Sequence, residues 1–174
     1  RCRVRYGKSR SVALHGLQGH VVEIEVQVQN GLPKVRLVGL PDTSLGEARD
    51  RCRAAIVNSG QKWPDREVTI ALSPASLPKT GSQYDLPIAL AVVASAEEVP
   101  ADEVARTVAF GELALDGRLR AVHGVLPAAM AAVEAGCRRI IVPEAQVAEA
   151  SAAGCVEVIG VRSLRAALAF LRGE

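Results

Sequence analysis

Apolar and polar residues alternate strictly from Val22 to Val28, with valine or isoleucine at every second position. A period of two residues predicts a strand that has one face in an apolar core and the other in water. Asn30-Gly31 follows as a turn, and the alternation resumes over Lys34–Val38. The pattern predicts an antiparallel hairpin of these two strands, preceded by another strand from Ser11 to Leu17.

Helical spacing alternates with further strands along the rest of the chain. Ser44 and Glu47 have the spacing of a capping box, which predicts a helix that ends at Ser59-Gly60. The later predictions are a strand over Glu67–Leu72, a loop over Ser73–Tyr84, a helix from about Asp85 to Ala96, a hairpin of Thr107–Leu115 with Arg118–Val122, a helix from Val125, a strand over Ile140–Val142, a helix over Glu144–Ala153, a strand over Val156–Val161 and a helix over Ser163–Leu171. This mixture of hairpins and crossovers predicts an α+β or mixed α/β fold.

The length of 174 residues, 49% of them apolar, suits one domain with a large core. We expect a basic arm over residues 1–10 and a single domain over residues 11–172, with two lobes that divide near residues 100–105. The first residues lack the apolar core of a signal peptide, no apolar run is long enough to span a membrane, and the four cysteines are far apart. We therefore expect a cytoplasmic protein with reduced thiols, no membrane contact and no bound metal.

Basic residues are concentrated in two places. Five of the 21 lysines and arginines fall within the first ten residues, where Lys8 and Arg10 are candidate phosphate contacts. Arg49, Arg51 and Arg53 lie on one predicted helix and could bind DNA or an acidic partner, although a solvated helix face with local ion pairs is the simpler explanation. Aromatic residues make up only 3% of the chain, so we expect any DNA contact at the phosphate backbone.

The predicted loop before the apolar helix contains the candidates for catalysis. Lys79 is the only nearby base for Ser82, so a Ser/Lys dyad is one interpretation. Lys79 could instead present its charge to an anion at the start of the helix. An ordered structural loop is the alternative, because a lysine base needs burial to lower its pKa and this loop is polar. The sequence contains no nucleotide-binding P-loop, since Gly7-Lys8-Ser9 matches only the last three positions of that motif.

Four longer stretches are more specific than any of these short patterns. They are Asn30–Asp42, Glu47–Arg51 with Asn58–Gly60, Leu77–Leu90 and Gly111–Ala129. Together they resemble the N-terminal domain of the magnesium-chelatase-like AAA+ ATPases of the ComM and YifB kind. The resemblance extends over nearly all of the chain, from about Ser11 to Leu171.

The resemblance implies a fold like the proteolytic domain of Lon, the ribosomal protein S5 domain 2-like arrangement. In that family the domain precedes an AAA+ module, and the ComM-like members are ring-forming motors that act on branched DNA during natural transformation. The implied partners are the AAA+ module of the same polypeptide, further copies in a homo-oligomeric ring, and DNA. No cofactor is implied for this chain, because ATP and magnesium would bind the AAA+ module.

The resemblance to Lon also bears on catalysis. The serine of the Lon nucleophile loop falls on Asp85 by one alignment and on Ser82 by another. The lysine of the Lon dyad falls on Leu126 in either case, so the base is missing. Our leading hypothesis is a non-catalytic scaffold domain that helps the motor assemble or bind DNA. The alternatives are a divergent Ser/Lys peptidase that uses Ser82 and Lys79, and a module that binds the phosphate backbone of DNA.

Overall fold

The computed structural model describes residues 3–174, in which helices lie on both faces of a mixed sheet. The strands are β1 (Arg5–His15), β2 (Gln18–Gln29), β3 (Lys34–Val38), β4 (Glu67–Ser73), β5 (Val108–Ala109), β6 (Glu112–Leu113), β7 (Leu119–Arg120), β8 (Arg139–Pro143) and β9 (Glu157–Val161). The helices are α1 (Asp42–Asn58), α2 (Asp85–Ser95), α3 (Ala101–Ala105), α4 (Val125–Glu134), α5 (Val147–Ser151) and α6 (Leu164–Leu171), with a 3-10 turn at Glu144–Gln146. The mixed α/β class is confirmed. None of the helices in residues 3–174 combines the length and the apolar character that a membrane span requires.

The main sheet has seven strands in the order β3-β4-β2-β1-β5-β8-β9, and β6 and β7 form a separate small hairpin. The predicted hairpin of β2 with β3 is wrong. Strand β2 pairs antiparallel with β1 on one side and with β4 on the other, while β3 lies parallel to β4. The reason is the helix α1 between β3 and β4, because a strand–helix–strand crossover brings its two strands into the sheet in parallel.

Strand β1 begins at Arg5, so most of the predicted basic arm belongs to the sheet instead. Lys8 and Arg10 lie on one face of this strand, while Gly7 and Ser9 are buried on the other face against α2. A Cβ atom at Gly7 would lie 2.0 Å from the carbonyl oxygen of Ala91 in α2. The buried positions hold small residues because the helix comes so close, and for this reason the segment lacks the apolar alternation of an ordinary strand. The first two residues of the predicted arm lie outside the described residues.

The main sheet separates two apolar cores, each covered by helices. Helices α1, α2 and α6 pack on one face of the sheet, and all eleven residues of α2 are buried there with Ile24 and Ile70. Helices α4 and α5 pack on the other face, over Phe110 and Ile140. Strand β1 contacts α2 on one face and α4 on the other. The position between the two cores makes β1 a central strand of the fold.

Two further predictions need correction. Helix α1 begins at Asp42, and its N-cap residue is Pro41, which makes no side-chain capping hydrogen bond. Ser44 lies inside the helix, so the predicted capping box is wrong. The extended backbone at Pro41 sets the start of the helix instead. The predicted strand over Thr107–Leu115 is divided into β5 and β6, because the chain leaves the main sheet at Gly111, whose amide donates to the carbonyl of Gln83.

Strands from both halves of the chain share the main sheet. The pairing of Arg10 in β1 with Val108 in β5 joins them, and helix α3 occupies the place where two lobes were predicted to divide. The single domain over residues 11–172 and its two lobes stay predictions.

Candidate functional site

An ion pair between Arg51 and Asp85 lies where α1 crosses the start of α2. The Nε atom of Arg51 lies 2.6 Å from Oδ2 of Asp85, and Nη2 lies 3.1 Å from Oδ1, so the guanidinium donates to both carboxylate oxygens. The Asp85 side chain is 1% exposed and the Arg51 side chain 23%. Such a bidentate pair fixes both the distance and the orientation of the two helices.

Asp85 also accepts a third hydrogen bond, from the backbone amide of Leu113 in β6 at 3.0 Å. The Sγ atom of Cys52, next to Arg51 on α1, lies 3.3 Å from the backbone carbonyl of Asp85. The amide of Leu86 donates to the carbonyl of Gly111. One residue at the first turn of α2 therefore joins α1, α2 and the small β6–β7 hairpin.

The environment of this site shifts the ionisation of its groups. Burial raises the pKa of Asp85 from 3.8 to about 6, although the hydrogen bond and the charge of Arg51 and the amide of Leu113 oppose that change. The hydrogen bond from Arg51 to Asp85 raises the pKa of Arg51 further above its ordinary value. Burial also raises the pKa of the Cys52 thiol well above its usual range, and the charge of Asp85 adds to the effect. Cys52 is therefore a neutral thiol and not a nucleophile.

Lys79 is not in the wet loop that the sequence predicts, because it is only 3% exposed. Its Nζ atom donates to the carbonyls of Pro74 at 2.5 Å and Leu77 at 2.8 Å, and burial lowers the pKa of this ammonium. Ser82 lies in the next turn, where its carbonyl accepts from the amide of Asp85. Lys79 therefore holds its own loop in shape and presents no charge to an anion at the surface.

The other predicted contact residues lie in two separate places, on α1 and on β1. Arg49 and Arg53 are on α1, where Arg49 pairs with the neighbouring Asp50 at 3.2 Å and Arg53 lies over the ring of Trp63 at 5.6 Å. Arg51 points to Asp85 instead of to an exposed face. Lys8 and Arg10 lie on β1, in the middle of the sheet. Whether any of them contacts DNA or a partner stays a prediction.

Residues 7–9 do not form a phosphate-binding loop. Gly7-Lys8-Ser9 is part of β1, and a strand cannot wrap its amides around a phosphate as a P-loop does. Gly7 is instead needed for close packing on Ala91. Within residues 3–174, no group of three or more His, Cys, Asp or Glu side chains could hold a metal ion.

Sequence reasoning missed the pairing of Arg51 with Asp85, although a signal was present. Asp85 is the only charged residue in the apolar helix α2. A carboxylate in such a helix needs a cationic partner, because an unpaired buried charge is costly.

A second group of charged residues includes Arg10, which the sequence analysis names as a candidate phosphate contact, and others that it did not identify. A cleft of about 610 Å³ lies where the parallel strands β5, β8 and β9 begin. Its lining residues are Arg10, Glu103, Arg106, Thr107, Gly136, Cys137, Arg138, Arg139 and Glu157. Four arginines against two glutamates give the cleft an excess of positive charge.

Comparison with known proteins gives a family match over most of the chain. The family model described as subunit ChlI of Mg-chelatase matches residues 24–146. An uncharacterized protein of Mycobacterium tuberculosis is 48% identical over 97% of this chain and 33% of its own length. YifB of Salmonella typhimurium is 44% identical over 91% of the chain and 31% of its own length. Competence protein ComM of Haemophilus influenzae is 39% identical over 94% of the chain and 32% of its own length.

A more distant similarity agrees with the predicted fold. Lon protease 2 of Bacillus subtilis is 26% identical over 86% of this chain and 30% of its own length. The chain spans about a third of the length of the curated relatives that it matches. The expected resemblance to the magnesium-chelatase-like proteins and to Lon is confirmed.

Proposed function

The chain belongs to the family of subunit ChlI of Mg-chelatase, and from that membership we propose that it is a non-catalytic scaffold domain of an AAA+ ATPase. The domain would help copies of the motor module assemble, or present DNA to them, and it would have no peptidase activity. ATP and magnesium would bind the AAA+ module and not this domain.

The ion pair of Arg51 with Asp85 is the observation that carries this proposal. In one alignment Asp85 occupies the position of the Lon nucleophile. Its carboxylate is buried, and Arg51 and the amide of Leu113 bind both of its oxygens. A carboxylate held in this way has no free oxygen directed at a substrate, so the position serves to join α1 to α2.

The other alignment, with Ser82 as the nucleophile, supports the same function. A lysine that acts as a base must be neutral and must accept the proton of the serine. The Nζ atom of Lys79 instead donates to the carbonyls of Pro74 and Leu77. Leu126, at the position of the Lon lysine, has no titratable group.

The names and lengths of the relatives suggest the larger process. One relative is a competence protein, and we infer that the motor served by this domain remodels DNA in natural transformation or recombination, in the cytoplasm. The relatives are about three times as long as the chain, which leaves room in them for an AAA+ module. We expect that module to form a homo-oligomeric ring.

A serine-directed probe separates the scaffold from the peptidase. The chain is incubated with a fluorescent fluorophosphonate, beside a Ser82→Ala variant and a Lon protease as positive control. A scaffold domain shows no labelling above the Ser82→Ala variant. Labelling that disappears in Ser82→Ala would establish a reactive serine and replace the proposed function by the peptidase.

A second experiment tests assembly in the full-length protein. The complete polypeptide and a version without residues 1–174 are compared by sedimentation velocity in the presence of ATP. We expect the shortened version to bind a fluorescent ATP analogue but to lose the ring or its DNA-dependent ATP hydrolysis. If assembly and DNA-dependent hydrolysis are both unchanged, the scaffold function is wrong.

A further inference from the structure

The arginine-lined cleft is built from four separate elements of the fold. Arg10 comes from β1, Arg106 from the end of α3, and Arg138 and Arg139 from the start of β8. Glu157 comes from the start of β9. The described ion pair at Asp85 includes none of the cleft residues, so the cleft is a separate site.

The two carboxylates in the cleft are already paired. Arg139 lies 2.8 Å from Glu157 and 3.5 Å from Glu103, and Arg106 lies 2.8 Å from Glu103. These pairs form a connected network of two arginines and two glutamates in the cleft. Neither glutamate makes an ion pair with Arg10 or Arg138.

Arg10 and Arg138 supply the excess positive charge. Among residues 3–174, Arg10 makes no ion pair with Glu23, its neighbour across the β1–β2 pairing, and its guanidinium has only a long contact of 4.0 Å with Sγ of Cys137. Arg138 is exposed and forms no ion pair in the described part of the chain. A guanidinium has five N–H donors, so most of the donors on these two residues have no acceptor among the described residues.

The helix ends beside the cleft do not account for these arginines. Arginines often bind the free carbonyls at a helix C-terminus. Here the amides of Arg106 and Thr107 bind the last carbonyls of α3, and the amides of Gly136 and Cys137 bind those of α4. Backbone amides therefore bind carbonyls at both helix ends, and no hydrogen bond from Arg10 or Arg138 to these carbonyls is seen among the described residues.

We propose that this cleft binds the phosphate backbone of a nucleic-acid strand, with Arg10 and Arg138 as the direct phosphate contacts. Arginine suits this ligand because its planar donors match phosphate oxygens in pairs. Lys8 lies two residues before Arg10 on the same strand face, about 7 Å away, and extends the row of cations out of the cleft. Cations spaced along a row favour a strand of phosphates over a single phosphate.

The lining also indicates how the strand is bound. None of the nine lining residues is aromatic, so the cleft offers no ring on which a base could stack. We therefore expect little dependence on base sequence and a strong dependence on salt. The choice of a nucleic acid rests on the proposed function of a domain in a DNA-remodelling motor.

The test measures binding of this chain to a fluorescein-labelled single-stranded oligonucleotide by fluorescence anisotropy, at several salt concentrations. The variant is Arg10→Gln/Arg138→Gln. The matched control is Arg118→Gln/Arg162→Gln, which removes two exposed arginines that are paired with Asp116 and Glu144 outside the cleft. Circular dichroism confirms that each protein is folded.

We expect the cleft variant to bind the oligonucleotide roughly tenfold more weakly than the original chain. The slope of log K against log salt should also become smaller by about 1.4, because each of the two lost phosphate contacts contributes about 0.7 in a single strand. The control should bind within about twofold of the original chain. Equal binding by the cleft variant and the control would overturn the proposal. So would a chain that binds inorganic phosphate in the cleft but not the oligonucleotide. Either failure leaves the scaffold function standing, because the probe-labelling and assembly experiments test that function separately.

Discussion

Arg51 and Asp85 are 34 residues apart in sequence, yet Nε of Arg51 lies 2.6 Å from Oδ2 of Asp85. The pair joins two helices that face each other above the main sheet, and the amide of Leu113 binds the same carboxylate. At the position that one alignment gives to the Lon nucleophile, this chain has an ion pair between two helices. The contribution of that ion pair to stability can be measured.

Loss of the cation from this pair is expected to destabilise the fold. The Arg51→Met variant leaves the carboxylate of Asp85 buried and unpaired, which costs about 3–5 kcal/mol at pH 8. Urea denaturation monitored by circular dichroism measures the free energy of unfolding. Arg49→Met removes an exposed arginine of the same helix and should cost less than about 1 kcal/mol. Equal losses in the two variants would show that the Arg51 pair is not structural.

Removal of both charges should recover most of the stability that Arg51→Met loses. In the double variant Arg51→Met/Asp85→Asn no buried charge remains, and the amide oxygen of the new side chain can still accept from Leu113. We expect the free energy of unfolding to recover to within about 2 kcal/mol of the original chain. A double variant as unstable as Arg51→Met alone would mean that the packing of Arg51, and not its charge, holds the helices.

The raised pKa of Asp85 predicts a particular pH dependence. The folded chain binds the proton of the Asp85 carboxyl group more tightly than the unfolded chain does. The contribution of Asp85 to stability is therefore complete below about pH 4 and is lost as the pH rises through about 6. The loss amounts to about 3 kcal/mol at most. The difference in unfolding free energy between the original chain and Arg51→Met/Asp85→Asn, measured from pH 4 to 8, isolates this titration. A difference that stays constant over this range would contradict the prediction.

Lys79 should stabilise the loop that contains it. Lys79→Met removes the ammonium donor from the carbonyls of Pro74 and Leu77, although the Pro74 carbonyl still accepts from the amide of Leu77. We expect a loss of about 1–3 kcal/mol and faster hydrogen exchange between residues 74 and 79. Lys62→Met, at an exposed lysine, should change stability by less than about 0.5 kcal/mol. Unchanged hydrogen exchange in Lys79→Met would mean that Lys79 does not stabilise this loop.

Two glycines should respond in opposite directions to the same substitution. Gly7→Ala places a methyl group 2.0 Å from the carbonyl oxygen of Ala91, so we expect a loss of more than about 2 kcal/mol. Gly46→Ala adds a methyl group to α1 where the nearest atom in the described part of the structure, Nη2 of Arg49, is 3.9 Å away, and it should stabilise the chain by about 0.5–1 kcal/mol. Thermal denaturation of both variants checks the pair. A stable Gly7→Ala variant would mean that β1 and α2 are not in such close contact.

Local patterns predicted individual elements well, because each depends on residues close in sequence. The alternation over Val22–Val28 identified β2, and helical spacing identified α2, α4 and α6. The period of two shows which face of a strand is buried but carries no information about its partner. The pairing of β2 with β3 was therefore wrong, and only the intervening helix could have indicated the parallel crossover.

The candidate sites were harder to predict, because their residues come together only in the folded chain. Lys79 and Ser82 are close in sequence, but the fold turns Lys79 toward two carbonyls instead. Arg10 and Cys137 are 127 residues apart and line one cleft. No spacing rule connects positions that far apart, so the cleft could be seen only once the order of strands was known.

The central position of β1 has a consequence for synthesis of the protein. Of the strands in the main sheet this one leaves the ribosome first, but one of its two neighbours, β5, begins about a hundred residues later at Val108. The amide of Arg10 and the hydroxyl of Ser11 stay without their acceptors at Thr107 and Ala109 until that segment has emerged. The main sheet of the nascent chain therefore closes late, and a strand that is central in the finished fold is an open edge while the domain is being made.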